Sequence, residues 1–223
     1  MDRRLDWSAN WYGTPNAQVM LNISDPGNNF AFEVHQYLDS DGSGSHTNIV
    51  SPTVGLERLT NFTAWLKQNN RKGFLGEFAV PNAIVGTNAS QIGDEALTNM
   101  LSHIQTNGNV WLGWTWWAAG PWWGNYMFTL EPGSGPVDQP AMPVLRSFIP
   151  LPTPTLLVAP TNRFQFTTKP GFVYQPQTIS DLAGGAWRNY GAAIIGNSQV
   201  TNVNMSVGST TEAFYRVRVT RAP

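Results

Sequence analysis

Short apolar runs alternate with segments of helical periodicity over the first 150 residues of the chain. The runs at 30–38, 73–79 and 109–118 are rich in aromatic residues and predict three strands. Between them, apolar residues recur every three or four positions over 51–70 and 90–106, which predicts two helices. Strands that alternate with helices of this length are typical of parallel β-α units, so the pattern predicts an α/β fold.

Local signals place the ends of these elements. Ser51 followed by Pro52 predicts a helix start, with serine as the N-cap and proline at the first helical position. A short helix is predicted over 16–22, within a polar and loop-rich start of the chain, and a last helix over 141–148.

The pattern changes after the last predicted helix. Residues 149–160, IPLPTPTLLVAP, contain four prolines, and we interpret 151–160 as a stiff linker. Beyond it, 161–223 shows short alternating runs separated by Gly and Asn, which predicts a small antiparallel β-sandwich. The expected organisation is therefore an α/β domain over 1–150, the linker, and the β-sandwich. Four aromatic residues of the last segment are either core residues, which we favour, or a sugar platform: Phe172, Tyr174, Trp187 and Tyr190.

Composition and charge narrow the class of partner. The net charge is −1 and only 12% of the residues are charged, which argues against nucleic acid or an anionic membrane as a partner. The chain contains no cysteine, so it forms no disulfide. No apolar run approaches the ~20 residues of a membrane-spanning helix, and the start of the chain lacks the apolar core of a signal peptide.

Tryptophan is the unusual component of this composition. The chain has ten tryptophans, and six of them lie in residues 111–123, WLGWTWWAAGPWW. Flat aromatic faces hold sugar rings well, because the axial C–H face of a pyranose is itself apolar. Burial in the core is the alternative, since large aromatic side chains contribute much of a core's buried area. We expect about half of the six to be core residues and the others to line a groove.

The candidate chemistry lies on the first two strands. Glu33, His35 and Tyr37 share one face of the first strand, and the C-terminal end of a barrel strand is where catalytic side chains project. Glu77 follows the apolar run GFL, where a carboxylate is costly unless its charge is used or neutralised. The residues alone leave two roles open for Glu77: one member of a salt bridge, or a nucleophile kept ionised by donors such as Tyr37.

Four segments of the chain resemble, in the same order, the last three strand units of glycoside hydrolase family 5. They are HQYLDSDGSGSH, FTAWLKQNNR, GFLGEF and VWLGWTWWAAGPWW. The resemblance covers roughly residues 5–150 and is strongest to endo-β-1,4-glucanases, the cellulases. It implies the C-terminal part of a (β/α)8 TIM-type barrel that hydrolyses β-1,4-glucan by a retaining mechanism. It implies cello-oligosaccharide or β-glucan as substrate, no metal or other cofactor, and an extracellular parent protein.

The resemblance also implies a role for each matching residue. Glu77 matches the nucleophile, and His35 and Tyr37 match a pair that contacts the substrate and the nucleophile. Trp117 matches the tryptophan that stacks under a sugar, with Trp116 as the alternative register. Three further substrate-binding candidates are the loop histidine and the last two tryptophans of the cluster: His46, Trp122 and Trp123. For His46, packing within the loop is the alternative, which we favour.

The chain departs from the family pattern in its second carboxylate. Retaining hydrolysis needs two carboxyl groups ~5–5.5 Å apart. The family takes its acid/base from an Asn-Glu pair on an earlier strand, and the sequence contains no Asn-Glu. Asp39 and Asp41 are the expected substitute acids, while Glu33 is expected to lie too deep and Glu131 is a further candidate.

Three strands do not close a barrel of eight, so we interpret the chain as a truncated cellulase with weak or altered activity. Open sheet edges invite pairing with another chain, so we expect a homo-oligomer. Two alternatives remain at this point: a non-catalytic β-glucan-binding protein that uses the Trp-rich loop, and an inert fragment.

Overall fold

The structure, a computed structural model, describes residues 16–86, 92–133, 135, 137–159, 162–205 and 213–222. They divide into two compact units, which meet in sequence at Ile149 and Pro150. The first unit is mixed α/β, and the second is built from antiparallel strands. Within the described ranges, no helix combines the length and the apolar character that crossing a bilayer requires.

The described part of the first unit contains one parallel sheet in the order β1-β2-β3, with β1 at Phe32–His35, β2 at Gly73–Glu77 and β3 at Trp111–Trp114. The α-helices are α1 (Asn16–Val19), α2 (Val54–Gln68), α3 (Ile92–Thr106) and α4 (Met142–Phe148). Short 3₁₀ turns cover Met20–Asn22, Asn82–Ile84 and Pro121–Trp123. The predicted alternation of strands and helices is therefore confirmed in this unit.

The ends of several elements differ from the prediction, most clearly in β3, which covers Trp111–Trp114 instead of 109–118; β1 and α2 show the physical reasons. β1 is shorter than 30–38 because its pairing with β2 shifts register, so that Val34 lies opposite Leu75 but His35 lies opposite Glu77. Helix α2 begins at Val54 rather than beside Ser51. Ser51 Oγ instead accepts the Thr53 N–H at 3.3 Å and closes a turn before the helix.

The core of the first unit separates the two faces of β1. Phe32 and Val34 are buried, whereas Glu33 and His35 on the alternate positions are exposed. The buried face joins one apolar cluster with residues of α2, α3 and the other strands, among them Leu59, Phe62, Leu66, Leu75, Leu97, Met100 and Leu101. Fully burying one such side chain contributes about 1.5–3 kcal/mol. This packing orients the strand, so the polar residues of β1 all face the opposite side.

The second unit contains two antiparallel sheets. Its strands are β4 (Leu157–Ala159), β5 (Arg163–Thr167), β6 (Phe172–Ile179), β7 (Arg188–Asn189), β8 (Ile194–Ile195), β9 (Val200–Asn204) and β10 (Phe214–Arg221). One sheet has the order β4-β5-β9, and the other has the order β10-β6-β7 with β8 also paired to β6. Both sheets contribute side chains to one apolar cluster around Phe164, Phe166 and Tyr174.

One sequence expectation changes in this unit, and the favoured core role of the aromatic residues holds for two of the four. Leu157–Ala159, which we assigned to the linker, forms β4 and pairs with β5, because this apolar stretch contains no proline. Of the four candidate platform aromatics, Tyr174 is fully buried and Phe172 packs against the same cluster. Tyr190 donates its hydroxyl hydrogen to the Asn204 carbonyl at 2.9 Å.

Candidate active site

Glu77 and His35 end adjacent parallel strands and lie opposite each other in the register of the sheet. The register skips Gly76, so Glu77 moves up beside His35. A side chain at Gly76 would overlap the Glu33 side chain, which lies across this position. The glycine therefore makes room for Glu33 beside the strand end, and three charged or titratable groups gather there.

The Glu77 carboxylate is held from two sides. Tyr37 Oη donates a hydrogen bond of 2.5 Å to Oε1 of Glu77. Nδ1 of His35 lies 3.5 Å from Oε2. The Glu77 side chain is 20% exposed, so a reactant still reaches it from solvent. The Tyr37 hydrogen bond thus orients one oxygen, His35 approaches the other, and the carboxylate stays accessible.

His35 links Glu77 to a second carboxylate. Its Nε2 lies 3.0 Å from Oε1 of Glu33, while its Nδ1 faces Glu77. The expectation that Glu33 lies too deep differs from the structure, because its side chain is 61% exposed.

Tyr37 is a buried and fixed donor. It lies past the end of β1, and its ring stacks on Phe128 with centroids 5.7 Å apart and planes 27° apart. Gly44, at φ +70°, passes so close that a Cβ there would be 2.6 Å from Cδ1 of Tyr37. Burial raises the pKa of Tyr37 far above its usual value, and the hydrogen bond and negative charge of Glu77 add to the rise. The hydroxyl therefore keeps the proton that it donates to Glu77.

The raised pKa of Tyr37 predicts that stability falls at alkaline pH. An unfolded tyrosine loses its proton near pH 10, whereas folded Tyr37 keeps it above that value. The neutral hydroxyl contributes stability that is fully present below pH ~10 and decreases above it by about 1.4 kcal/mol per pH unit. We expect Tyr37→Phe to flatten this decrease in thermal unfolding between about pH 9 and about pH 11. Equally steep curves for both proteins would contradict the raised pKa.

A row of aromatic contacts connects Tyr37 to the Trp-rich loop. Trp117 and Trp123 meet edge to face at 5.1 Å, and Trp123 lies 5.0 Å from Tyr126. Tyr126 contacts Phe128 at 5.3 Å, and Phe128 carries the stacked ring of Tyr37. Burial raises the pKa of Tyr126, a hydrogen bond with the Trp117 side chain opposes the rise, and the charge of Glu77 adds to it. The loop thus reaches the strand end through packed rings.

The six clustered tryptophans divide between core and surface. Trp111 is a core residue, and Trp114 and Trp116 both contact Phe78 edge to face, at 5.6 Å and 5.3 Å. Trp116 also donates its indole N–H to the Phe128 carbonyl at 2.8 Å. The tryptophan that we named as the alternative to Trp117 therefore holds a structural position. The remaining three lie outward, with Trp117 38% exposed, Trp122 94% exposed and Trp123 partly buried. The peptide bond between Trp117 and Ala118 is cis.

Asp39 anchors the loop after β1 instead of facing a substrate. Its side chain is only 2% exposed and accepts hydrogen bonds of 3.2 Å from Ser43 Oγ and from the N–H groups of Gly44 and His46. Asp41 is exposed, and hydrogen bonds from Ser43 hold its pKa below its usual value. The lowered pKa of Asp41 does not suit a general acid, which must hold a proton at the working pH, and Asp39 is buried against its own loop, so the geometry does not favour the substitute-acid role that we expected.

His46 belongs to the same loop cluster. Its Nδ1 lies 3.2 Å from Asp39 and 3.5 Å from Asp41, and single ligand atoms of the three residues lie within 4.8 Å of one another. Two backbone N–H groups already point at the Asp39 carboxylate, which leaves it poorly suited to a cation. We therefore assign the cluster to holding the loop, and His46 has no contact with Glu77 or the outward tryptophans among the contacts of the described residues.

Two positions that support the site carry no signal in the sequence. Arg58 of α2 donates to the carbonyls of Tyr37, Asp39 and Ser40 at 2.8, 2.9 and 3.3 Å. It fastens the end of β1 to the helix, yet its sequence context is that of an ordinary polar helical residue. Phe128, the platform for Tyr37, lies about ninety residues away in sequence, so only the fold brings them together.

Comparison with known proteins gives this arrangement a family. The sequence profile described as Cellulase (glycosyl hydrolase family 5) matches residues 7–120, which is more than half of the chain. The chain belongs to glycosyl hydrolase family 5. Relatives include Endo-beta-1,4-glucanase A of Emericella nidulans, 43% identical over 142 residues, which are 64% of this chain and 41% of that protein. Endoglucanase 3 of Humicola insolens is 43% identical over 129 residues, 58% of this chain and 31% of that protein.

Solved structures of the family agree with this assignment. An endo-beta-1,4-glucanase from Xanthomonas axonopodis pv. citri has a TM-score of 0.58 at 43% identity, covering 63% of this chain and 44% of that chain. XacCel5A, solved in complex with cellopentaose, has a TM-score of 0.58 at 46% identity, covering 66% of this chain and 45% of that chain. This chain spans less than half the length of these relatives.

Proposed function

We propose that this family 5 chain contributes the nucleophile side of an endo-β-1,4-glucanase site, with Glu77 as the nucleophile. The proposal depends mainly on one observation, the 2.5 Å hydrogen bond from Tyr37 to a partly exposed Glu77 at the end of β2. The names of the relatives support β-1,4-glucan as the substrate, and one relative was solved with cellopentaose.

Each residue has a separate task in this mechanism. One oxygen of Glu77 attacks the anomeric carbon while the glycosidic C–O bond breaks, which gives a covalent glycosyl-enzyme. Neutral Tyr37 donates to Oε1 and keeps the carboxylate oriented. His35 approaches Oε2 and is exposed enough to touch the sugar. Trp117, exposed beside this row, offers its indole face to the adjoining glucose ring.

The same proposal holds that the residues of this sequence do not include the family's acid/base glutamate. Cellulose has an alcohol leaving group that needs a proton, and the sequence has no Asn-Glu pair to supply it. The sheet order leaves the outer edges of β1 and β3 unpaired among the described strands, as in an open part of a barrel. A second copy of the chain would cover them, and we place the parent protein outside the cell.

An activated substrate separates the nucleophile from the missing acid. 2,4-Dinitrophenyl β-cellobioside needs no proton donor, because its phenolate is already a stable leaving group. Glu77 forms the glycosyl ester as the phenolate departs, and without a base to activate water the ester accumulates. We expect a burst of about one phenolate per chain followed by slow turnover. Absence of a burst from folded protein would contradict the proposal.

A non-catalytic β-glucan-binding protein is the second candidate function. Trp122 is 94% exposed, and with Trp117 and Trp123 it presents indole surface on the loop. In this case insoluble cellulose would remove the chain from solution while the activated cellobioside gave no burst.

A further inference from the structure

Charge is unevenly divided between the two units of the chain. Residues 150–223 contain six Lys or Arg against two Asp or Glu, a net charge of +4. Residues 1–149 contain seven Lys or Arg against twelve Asp or Glu, a net charge of −5. The overall charge of −1 is therefore the sum of an acidic first unit and a basic second unit. A basic surface attracts anionic partners.

Part of this positive charge lies on one face of the β10-β6-β7 sheet. Tyr215, Val217 and Val219 of β10 pack into the core, so Arg216 and Arg218 on the alternate positions point outward. Arg216 pairs with Gln177, and Gln177 pairs in turn with Asn189. We call this surface the arginine face and define it by Gln177, Trp187, Asn189, Arg216 and Arg218.

Arg216 is held in a fixed orientation on the arginine face. Its guanidinium carbon lies 4.3 Å from the centre of the Trp187 ring, and its Nε donates to Oε1 of Gln177 at 2.9 Å. The Gln177 side chain is in turn held by donating to Oδ1 of Asn189 at 3.1 Å. Neither terminal amino group of Arg216 has a hydrogen-bond acceptor among the described residues. These two groups form a planar fork that is ready for an acceptor outside the chain.

Arg218 provides a second cation on the same face. Two residues along a strand are separated by roughly 6.8 Å, so both arginines are within reach of one extended chain. Arg218 is exposed, and neither it nor Arg216 forms an ion pair with any residue in the described ranges. Two unneutralised guanidinium groups on one strand favour a ligand with repeated negative charge.

We propose that the arginine face binds acidic polysaccharides whose sugars carry carboxylate groups. A guanidinium fork matches a planar carboxylate with two parallel hydrogen bonds. Trp187 adds an aromatic surface of the kind that packs against pyranose C–H groups, and the exposed Asn189 amide, held in place by the buried Gln177 side chain, is suited to hydroxyl groups. A surface that offers only charge would bind any polyanion, whereas this combination also contacts the sugar ring. None of its residues belongs to the Glu77 site.

Binding of the full chain to polygalacturonate and to fully methyl-esterified pectin tests the proposal. The two polymers share a backbone, and esterification removes only the charge. We expect calorimetric binding to polygalacturonate alone, weakened by added salt. Arg218→Gln should raise the Kd about 10-fold, and Arg216→Lys should weaken binding similarly because it keeps the charge but loses the fork.

Matched variants make the outcome decisive. Lys169→Gln removes one exposed positive charge of the same unit that is not part of the arginine face, and Lys67→Gln removes one exposed positive charge of the first unit; each should leave the Kd unchanged. Glu77→Gln should also bind normally, so failure here and failure of the proposed hydrolase function are distinguishable. Three results would overturn the proposal: equal binding of the esterified polymer, equal loss in the lysine variants, or equally tight binding of single-stranded DNA that responds to the same arginine variants.

Discussion

Glu77→Gln is expected to abolish the burst of phenolate from 2,4-dinitrophenyl β-cellobioside, with a rate loss on the order of 10³-fold or more. Glutamine keeps the size of the side chain and can still accept from Tyr37, but its neutral oxygen is a poor nucleophile. The fold should therefore survive while bond formation to the sugar stops. Stopped-flow absorbance of the released phenolate measures the change directly.

Two neighbouring carboxylates provide controls for this result. Glu33→Gln also removes one negative charge, from a side chain that contacts His35 rather than Glu77. We expect it to slow the burst without abolishing it. Asp41→Asn alters an exposed loop residue and should leave the burst unchanged. Mass spectrometry with a 2-fluoro analogue of the substrate should place the label on Glu77. A full burst from Glu77→Gln would rule this residue out as the nucleophile.

The residues of the site were predictable because strand periodicity determines which side chains share a face. The apolar positions of β1 indicate the buried side, which sends His35 to the opposite side and toward the strand end. The short apolar run before Glu77 places its carboxylate beside His35 on the neighbouring parallel strand. These local patterns predict where the side chains lie, whereas only the resemblance to family 5 implied a role for Glu77.

Contacts between distant segments were not predictable in the same way. The loop of Asp39 looks solvent-exposed in sequence, because its glycines, serines and acids are typical of a turn. Its burial depends on N–H groups that turn back toward it and on Arg58 arriving from α2. Exposure of Glu33 depends on the space above Gly76, which strand spacing alone does not reveal.

The second unit shows the same limit for aromatic residues. Alternation indicated its strands, but the roles of Tyr174 and Trp187 depend on which side each strand turns inward. Tyr174 fills the core, while Trp187 lies under Arg216 on the outer surface. A count of aromatic residues therefore predicts a sugar platform less well than the pairing register does.

Asp39→Asn is expected to lower the free energy of unfolding by about 2–4 kcal/mol. The buried carboxylate accepts from two backbone N–H groups and one hydroxyl, and an amide group turns one acceptor into a donor that faces other donors. Because the loop starts two residues after Tyr37, its loosening should also weaken the Tyr37–Glu77 contact. Thermal and denaturant unfolding measure the loss, and Asp41→Asn should leave the midpoint unchanged.

The dinitrophenyl substrate distinguishes this anchoring role from the role of a general acid. Removing an acid leaves both folding and the burst intact, because the activated leaving group needs no proton. Removing the anchor lowers stability and reduces the burst together, since Tyr37 is then less firmly held against Glu77. An Asp39→Asn protein that unfolds like the wild type would contradict the anchor, and an unchanged burst in that protein would restore Asp39 as a candidate acid.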